Sequence, residues 1–153
     1  MSHFLLKTEP TEYSIDDLKR DKVTSWFGVR NYQARNIIRD DIKIGDLCVI
    51  YHSSCKIPAA VGLGKVVKEA YPDRTQFDPQ SDYFDIGSSV TNPRWMSVDI
   101  AFVEKFTQPL SLTRMRTIDS LSDMRLLTRG NRLSILPITL KHFKKILELS
   151  NLC

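Results

Sequence analysis

No stretch of this sequence approaches the roughly 18 to 20 consecutive apolar residues that span a bilayer. The opening residues, Met1-Ser2-His3-Phe4-Leu5-Leu6-Lys7, carry too short an apolar run for a signal peptide. No membrane partner is expected, and the chain is expected to stay where it is made: cytoplasmic, or nuclear if the source is eukaryotic. Cysteine is scarce. Cys48, Cys55 and Cys153 are odd in number, and none makes the C-x-x-C spacing of a zinc or redox site, so all three are read as free thiols in a reducing compartment. Internal repeats, low-complexity tracts and long linkers are missing too, and one domain over residues 1–153 is expected.

The arrangements that carry catalysis are also absent. Neither G-x-x-x-x-G-K-[ST] nor G-x-G-x-x-G occurs, and Gly62-Leu63-Gly64-Lys65 lies in a strand pattern, so there is no dedicated phosphate loop. His3, His52 and His142 have no His, Cys or acidic neighbour at a metal-ligand spacing. Cys55 three residues after His52 has no third group to orient the imidazole. The pairs Asp16-Asp17 and Asp40-Asp41 are adjacent in helical segments, so their side chains diverge. No catalytic residue, metal or cofactor is expected.

What is present is enough apolar side chain, 42% of 153 residues, to bury a core without staples. The net charge of +4 is modest but unevenly placed. Between Arg114 and Lys145 stand eight basic residues against two acidic ones, a basic face near the C-terminus or an ordinary solvated surface.

Phe4-Leu5-Leu6 predicts an opening strand that stops at Glu9-Pro10. Ser14 and Asp17, at capping-box spacing, predict a helix start. A second helix is expected from Asn31 through Arg39, ending before the turn at Gly45-Asp46. Leu47 to His52 reads as a buried strand, and Ala60 to Val67 as its antiparallel hairpin partner. Tyr71 to Arg94 is polar and long, a surface excursion of the kind that is often functional. Met96, Val98, Ile100 and Phe102 alternate within a strand from Trp95 to Phe106. A short helix around Leu112 to Ile118, a last strand from Arg132 to Leu136, and a helix from Thr139 with Leu140, Phe143, Ile146 and Leu147 on one stripe complete the pattern. Together these give an α+β fold with a mixed, barrel-like sheet.

Trp26 to Asn36 packs three aromatics, a glycine, arginines and an amide-rich helix start into one segment. Aromatic faces hold a planar base, amides read its edge, and Arg or Lys serves phosphates. Trp26 and Tyr32 as plain core aromatics is the alternative. Lys7-Thr8-Glu9-Pro10, Tyr13 through Leu18, Gly28 through Asn36, Gly45-Asp46, Tyr51-His52-Ser53 with Cys55, Glu69 through Asp73, Thr75 through Asp78, Pro93-Arg94-Trp95, Val98-Asp99 and Arg132-Leu133-Ser134 together resemble the EVE domain family, from about Phe4 to about Leu147.

The resemblance implies a PUA-like fold, a bent mixed or antiparallel β-barrel flanked by short helices, and non-catalytic binding of modified bases in DNA or RNA through an aromatic-lined pocket. Carried over by position, that pocket would take Trp26, Val29, Asn31 and Tyr32, then Tyr51, His52 and Ser53, then Arg132, Leu133 and Ser134, with Lys7 and Glu9 at its mouth. Arg30, Arg35, Lys56 and Arg129 would meet phosphates. The partner would be nucleic acid carrying a modified base. Two departures stand out: Thr8 where the family commonly has Ser, and Pro58-Ala59 where it commonly has Pro-Gly. Trp26→Ala is expected to weaken stacking and leave the fold intact. Two other readings stay open: a small hydrolase or nuclease using Lys7, Glu9 or His52, and a module for a free nucleoside or other small molecule.

Overall fold

In the computed structural model, which describes residues 1–150, six strands form one mixed sheet in the order β2 (Val23–Trp26), β5 (Met96–Ser111), β4 (Ala59–Pro72), β3 (Leu47–His52), β1 (His3–Thr8) and β6 (Ile135–Ile138). The opening strand, β1 (His3–Thr8), sits inside it, parallel to β3 (Leu47–His52) and antiparallel to β6 (Ile135–Ile138). Phe4, Leu5 and Leu6 are consecutive and all at most 2% exposed. An unbroken apolar run of this kind marks a strand covered on both faces. Pro137, which has no N–H to give a ladder, falls on the edge strand β6, where a missing donor costs least.

The β3–β4 hairpin forms as expected, but β4 (Ala59–Pro72) and β5 (Met96–Ser111) run well past the apolar alternation. Their outer ends still pair, Pro72 with Met96 and Ala59 with Ser111. Four register shifts along this pair bend the sheet. Gly62 is needed at the bend: a Cβ there would stand 2.6 Å from the Glu104 carbonyl oxygen and from Ile15 Cδ1. Bent as it is, the sheet stays open, because β6 and the four-residue β2 (Val23–Trp26) are opposite edges that do not pair. The fold class holds, with an incomplete barrel. β2 escapes sequence reading because only Trp26 of its four residues is buried.

Four helices flank the sheet. α1 (Ile15–Asp21) starts on the expected capping box: the Asp17 N–H donates to Ser14 Oγ at 3.1 Å, and the Ser14 N–H donates to Asp17 Oδ2 at 2.9 Å. Asn31 caps α2 (Tyr32–Asp40), which buries Ala34, Ile37 and Ile38. α3 is a single turn (Leu112–Met115), shorter than expected. α4 (Leu140–Leu149), capped by Thr139, buries Phe143 and Ile146, but Leu140 stands 52% exposed in its first turn. The segment expected as a strand from Arg132 pairs regularly only from Ile135, although the Lys7 N–H still reaches the Ser134 carbonyl at 2.8 Å.

Among the described residues no helix is long and apolar enough to cross a membrane, and Cys48 and Cys55 are free. Cys153 lies outside the described residues. Ser14→Ala should cost about 1 kcal/mol, read as a lower urea midpoint at unchanged slope, since it leaves the Asp17 N–H unpaired. An unchanged midpoint would show that this cap contributes nothing.

Candidate functional site

The sheet brings three distant segments to one end of β1. Its last residues are bonded on both sides, Lys7 through its N–H to the Ser134 carbonyl and Thr8 through its carbonyl to the Ser53 N–H at 3.0 Å. Thr8 Oγ1 donates to the Tyr13 carbonyl at 2.7 Å, folding the Glu9–Tyr13 turn over this end. β2 then delivers Trp26, Phe27 and Gly28 as an opposite wall. Between these segments lies a cavity of about 530 Å³.

The wall is locked by Asp73, whose side chain has no solvent exposure. Its carboxylate accepts the Gly28 N–H at 2.8 Å, Arg30 Nη1 at 3.0 Å, and the Thr75 N–H and hydroxyl at 2.8 and 2.6 Å. Burial alone would raise this carboxyl, but the bonds from Thr75, Gly28 and Arg30 outweigh it and hold it below the usual carboxylate range. Arg30 also donates to the Tyr83 carbonyl at 2.7 Å. Tyr83, from the long excursion, therefore closes over the cavity, with its ring 5.8 Å from that of Phe27. Gly28, at φ 83°, is the residue this closure needs: a Cβ there would lie 2.9 Å from the Tyr83 ring.

The lining is mixed. Trp26 meets Tyr13 edge to face, with centroids 6.5 Å apart, and Phe27 leaves 51% of its surface open. Lys7 is half-buried and has no ion-pair partner among the described residues, and burial lowers its pKa from the ordinary lysine value. Glu9, Glu12 and Arg132 supply charge of both signs, and Thr24, Ser25, Ser53 and Ser134 supply hydroxyls. No group of three His, Cys, Asp or Glu among the described residues could hold a metal.

Comparison with protein families matches residues 2–149 to the EVE domain. The chain belongs to the EVE domain family. Human thymocyte nuclear protein 1 is 41% identical over 167 residues, spanning 97% of this chain and 73% of that protein; the chicken protein of the same name is 42% identical, spanning 96% and 68%. Among solved structures, human THYN1 protein in complex with 5-methylcytosine containing DNA superposes with a TM-score of 0.93 at 40% identity, covering 98% of each chain. A protein from Pseudomonas syringae gives 0.94 at 42%, covering 97% of this chain and 99% of that one. An ASCH protein from Zymomonas mobilis, at 10% identity and a TM-score of 0.59 over 97% and 95% of the two chains, shares the PUA-like fold alone.

Of the residues expected in the pocket of this EVE domain, Lys7, Glu9, Trp26, Val29, Ser53, Arg132 and Ser134 line the cavity. The others lie elsewhere, each for a physical reason. Asn31 spends its carbonyl oxygen capping α2, 3.0 Å from the Ala34 N–H, and with Leu133 lines a neighbouring cleft. Tyr32 is on an outer face, stacked on Trp95 at 4.7 Å under Arg35. Tyr51 is 3% exposed and borders a third depression, and burial pushes its phenol up to about 12. His52 is turned to α1, where Nε2 accepts the Ile15 N–H at 3.1 Å.

The expected phosphate ligands divide in the same way. Arg30 points inward to Asp73, and Arg35 donates to the Arg94 carbonyl at 2.8 Å. Lys56 is exposed away from the cavity, while Arg129 lines the two neighbouring clefts. Sequence reasoning missed Tyr13, Phe27 and Tyr83 as wall residues. Tyr13 and Phe27 fall inside the motif segments, so their positions were within reach. Tyr83 carries no local signal beyond the length of its loop.

Asp73→Asn leaves Arg30 without its counter-charge. It should cost about 2–3 kcal/mol in urea unfolding, below the range for a fully buried pair because Arg30 keeps 22% of its side chain in solvent. A loss under about 0.5 kcal/mol would remove Asp73 as the lock. His52 should titrate below 6.5, because burial disfavours its charged form more strongly than Asp16 favours it. With the folded value depressed, its contribution to stability is complete above 6.5 and is lost as pH falls through the folded value. An NMR titration midpoint at or above 6.5 would contradict the bond to Ile15.

Proposed function

We propose that this EVE domain binds a modified base of DNA in the cavity between Lys7, Trp26, Phe27, Ser53 and Tyr83, and carries out no chemistry on it. The observation that carries the reading is the human relative solved with 5-methylcytosine containing DNA, which shares this fold at a TM-score of 0.93. The cavity supports it: about 530 Å³ lies within the range of small-ligand sites, roughly 300 to 1,000 Å³. Aromatic rings grip the faces of a base, and the strand-end hydroxyls and Lys7 meet its polar edge. The hydrolase alternative loses one of its three candidate groups, since His52 faces Ile15 and not the cavity, while Lys7 and Glu9 stay on the cavity wall. DNA is favoured over RNA by the relative's ligand. The relatives' name is nuclear, so a nuclear location in a eukaryotic source fits them, and nothing in them supports a cytoplasmic one.

A base in this cavity must leave its stack, at a cost of a few kcal/mol in duplex DNA, so single strands and distorted duplexes bind better. Burying one methyl contributes about 0.8 kcal/mol, roughly a fourfold preference. Larger discrimination rests on hydrogen bonds whose loss strands a buried partner. With Asn31 committed to its cap, those bonds fall to Ser53, Ser134, Thr24 and Lys7.

The stacking test belongs to the aromatics outside the core, exposed Phe27 and half-buried Tyr83. Trp26 is 8% exposed and part of the core, so Trp26→Ala costs about 3–5 kcal/mol of stability and would confuse binding with unfolding. Phe27→Ala and Tyr83→Ala should each weaken binding of a 5-methylcytosine single strand by about 1–3 kcal/mol with the unfolding midpoint nearly unchanged. Full affinity in the double variant would overturn the site.

A further inference from the structure

Beside the cavity lies a cleft of about 360 Å³ lined by Arg125, Arg129 and Arg132 together with Asn31, Gln33 and Asn131, and no carboxylate enters its wall. A single asparagine builds it. Asn131 Nδ2 donates to the Arg125 carbonyl, its Oδ1 accepts the Leu133 N–H at 2.9 Å, and its own N–H reaches the Thr128 carbonyl at 3.2 Å. Gly130, at φ 81°, turns the chain between them. The segment folds back on itself and sets three arginines around one concavity.

None of the three takes part in an ion pair among the described residues, whereas Arg20, Arg30, Arg39 and Arg94 all do. Like charges gathered without a counter-charge repel one another until an anion arrives. The planar guanidinium fork matches a phosphate's oxygens, and the side-chain amides of Asn31 and Gln33 add neutral donors. Arg132 lines both this cleft and the cavity. A strand whose base sits in the cavity therefore leads its backbone directly past the arginines.

We propose that the Arg125–Leu133 cleft binds the phosphodiester backbone flanking the bound base, so that phosphate binding comes from Arg125, Arg129 and Arg132 and not from Arg30, which is held by Asp73, or Arg35, which is held at the Arg94 carbonyl on the outer face. The proposal rests on the base-binding reading above. It assigns the two regions different parts of the ligand: the cavity takes a nucleoside, and the cleft takes only what a strand adds to it.

The test compares wild type with Arg125→Gln/Arg129→Gln and with a charge-matched control, Lys141→Gln/Lys144→Gln, on the exposed side of α4. Arg132 is left in place because it also lines the cavity. Each protein is titrated by fluorescence anisotropy with a single strand carrying 5-methylcytosine, between about 50 and 200 mM salt. Each is also titrated by calorimetry with 5-methyl-2′-deoxycytidine. In the arginine variant the slope of log affinity against log salt should flatten by about 1.4, at about 0.7 for each phosphate no longer neutralised. The control slope should stay near wild type, and nucleoside affinity should be equal in all three. Equal flattening in both variants would reduce the effect to overall charge and overturn the cleft, as would an unchanged slope in the arginine variant. Failure of wild type to bind either the nucleoside or the strand overturns instead the reading on which the cleft depends.

Discussion

The Asp73 carboxylate, without solvent exposure, joins two parts of the chain that lie 45 residues apart at the Gly28 N–H. Its acceptor positions are spread over a backbone N–H, a guanidinium and both donors of Thr75. An ionised, buried carboxylate is tolerated only when it is this fully bonded. Once in place, it fixes the Phe27–Arg30 turn against the excursion, and the excursion sets Tyr83 over the cavity. Gln76, also fully buried, completes the anchoring by donating to the Asp73 and Trp95 carbonyls and accepting the Arg94 and Trp95 N–H groups. A loop rich in Asp, Pro and Ser thus becomes a rigid wall, held by polar bonds where apolar burial is scarce.

The sheet supplies the other half of the site. Because β1 is paired on both sides, its last residues bring together Ser53, just after β3, and Ser134, just before β6, from strands that neighbour β1 in space and not in sequence. The wall from β2 and the floor from β1 are then independent constructions that meet at the cavity. That separation lets a ligand's faces and its edge be held by different elements, one locked through Asp73 and one through the ladder. Arg132, at the junction of cavity and cleft, links both to a basic surface.

Much of this was legible in the sequence where one physical cause dominates. Ser14 and Asp17 announce their helix because a cap is a local bond, and Phe4-Leu5-Leu6 announces a doubly covered strand because burial leaves no polar residue in it. The sheet's open edge and β2 were not legible, since pairing partners are set by topology and three of β2's four residues stay out of the core. At the site, Trp26, Val29, Lys7 and Ser134 were placed at the cavity by motif, but motif order says nothing of which way a side chain turns. Asn31 and His52 look like edge readers by type, yet each is spent on a helix start. Arg30 looks like a phosphate ligand until Asp73, 43 residues on, is seen beside it. Tyr83 could be found only from the folded chain.

The most direct measurement follows from there being two tryptophans, one at the cavity and one away from it. Trp95 gives its indole N–H to Asp85 at 2.7 Å and stacks with Tyr32 on the outer face. Two indole N–H resonances of the ¹⁵N-labelled protein can therefore be followed while a 5-methylcytosine single strand is added. The account requires the Trp26 resonance to move to saturation while that of Trp95 stays in place. Binding that shifts Trp95 and leaves Trp26 still would put the base on the wrong face of the molecule and contradict it.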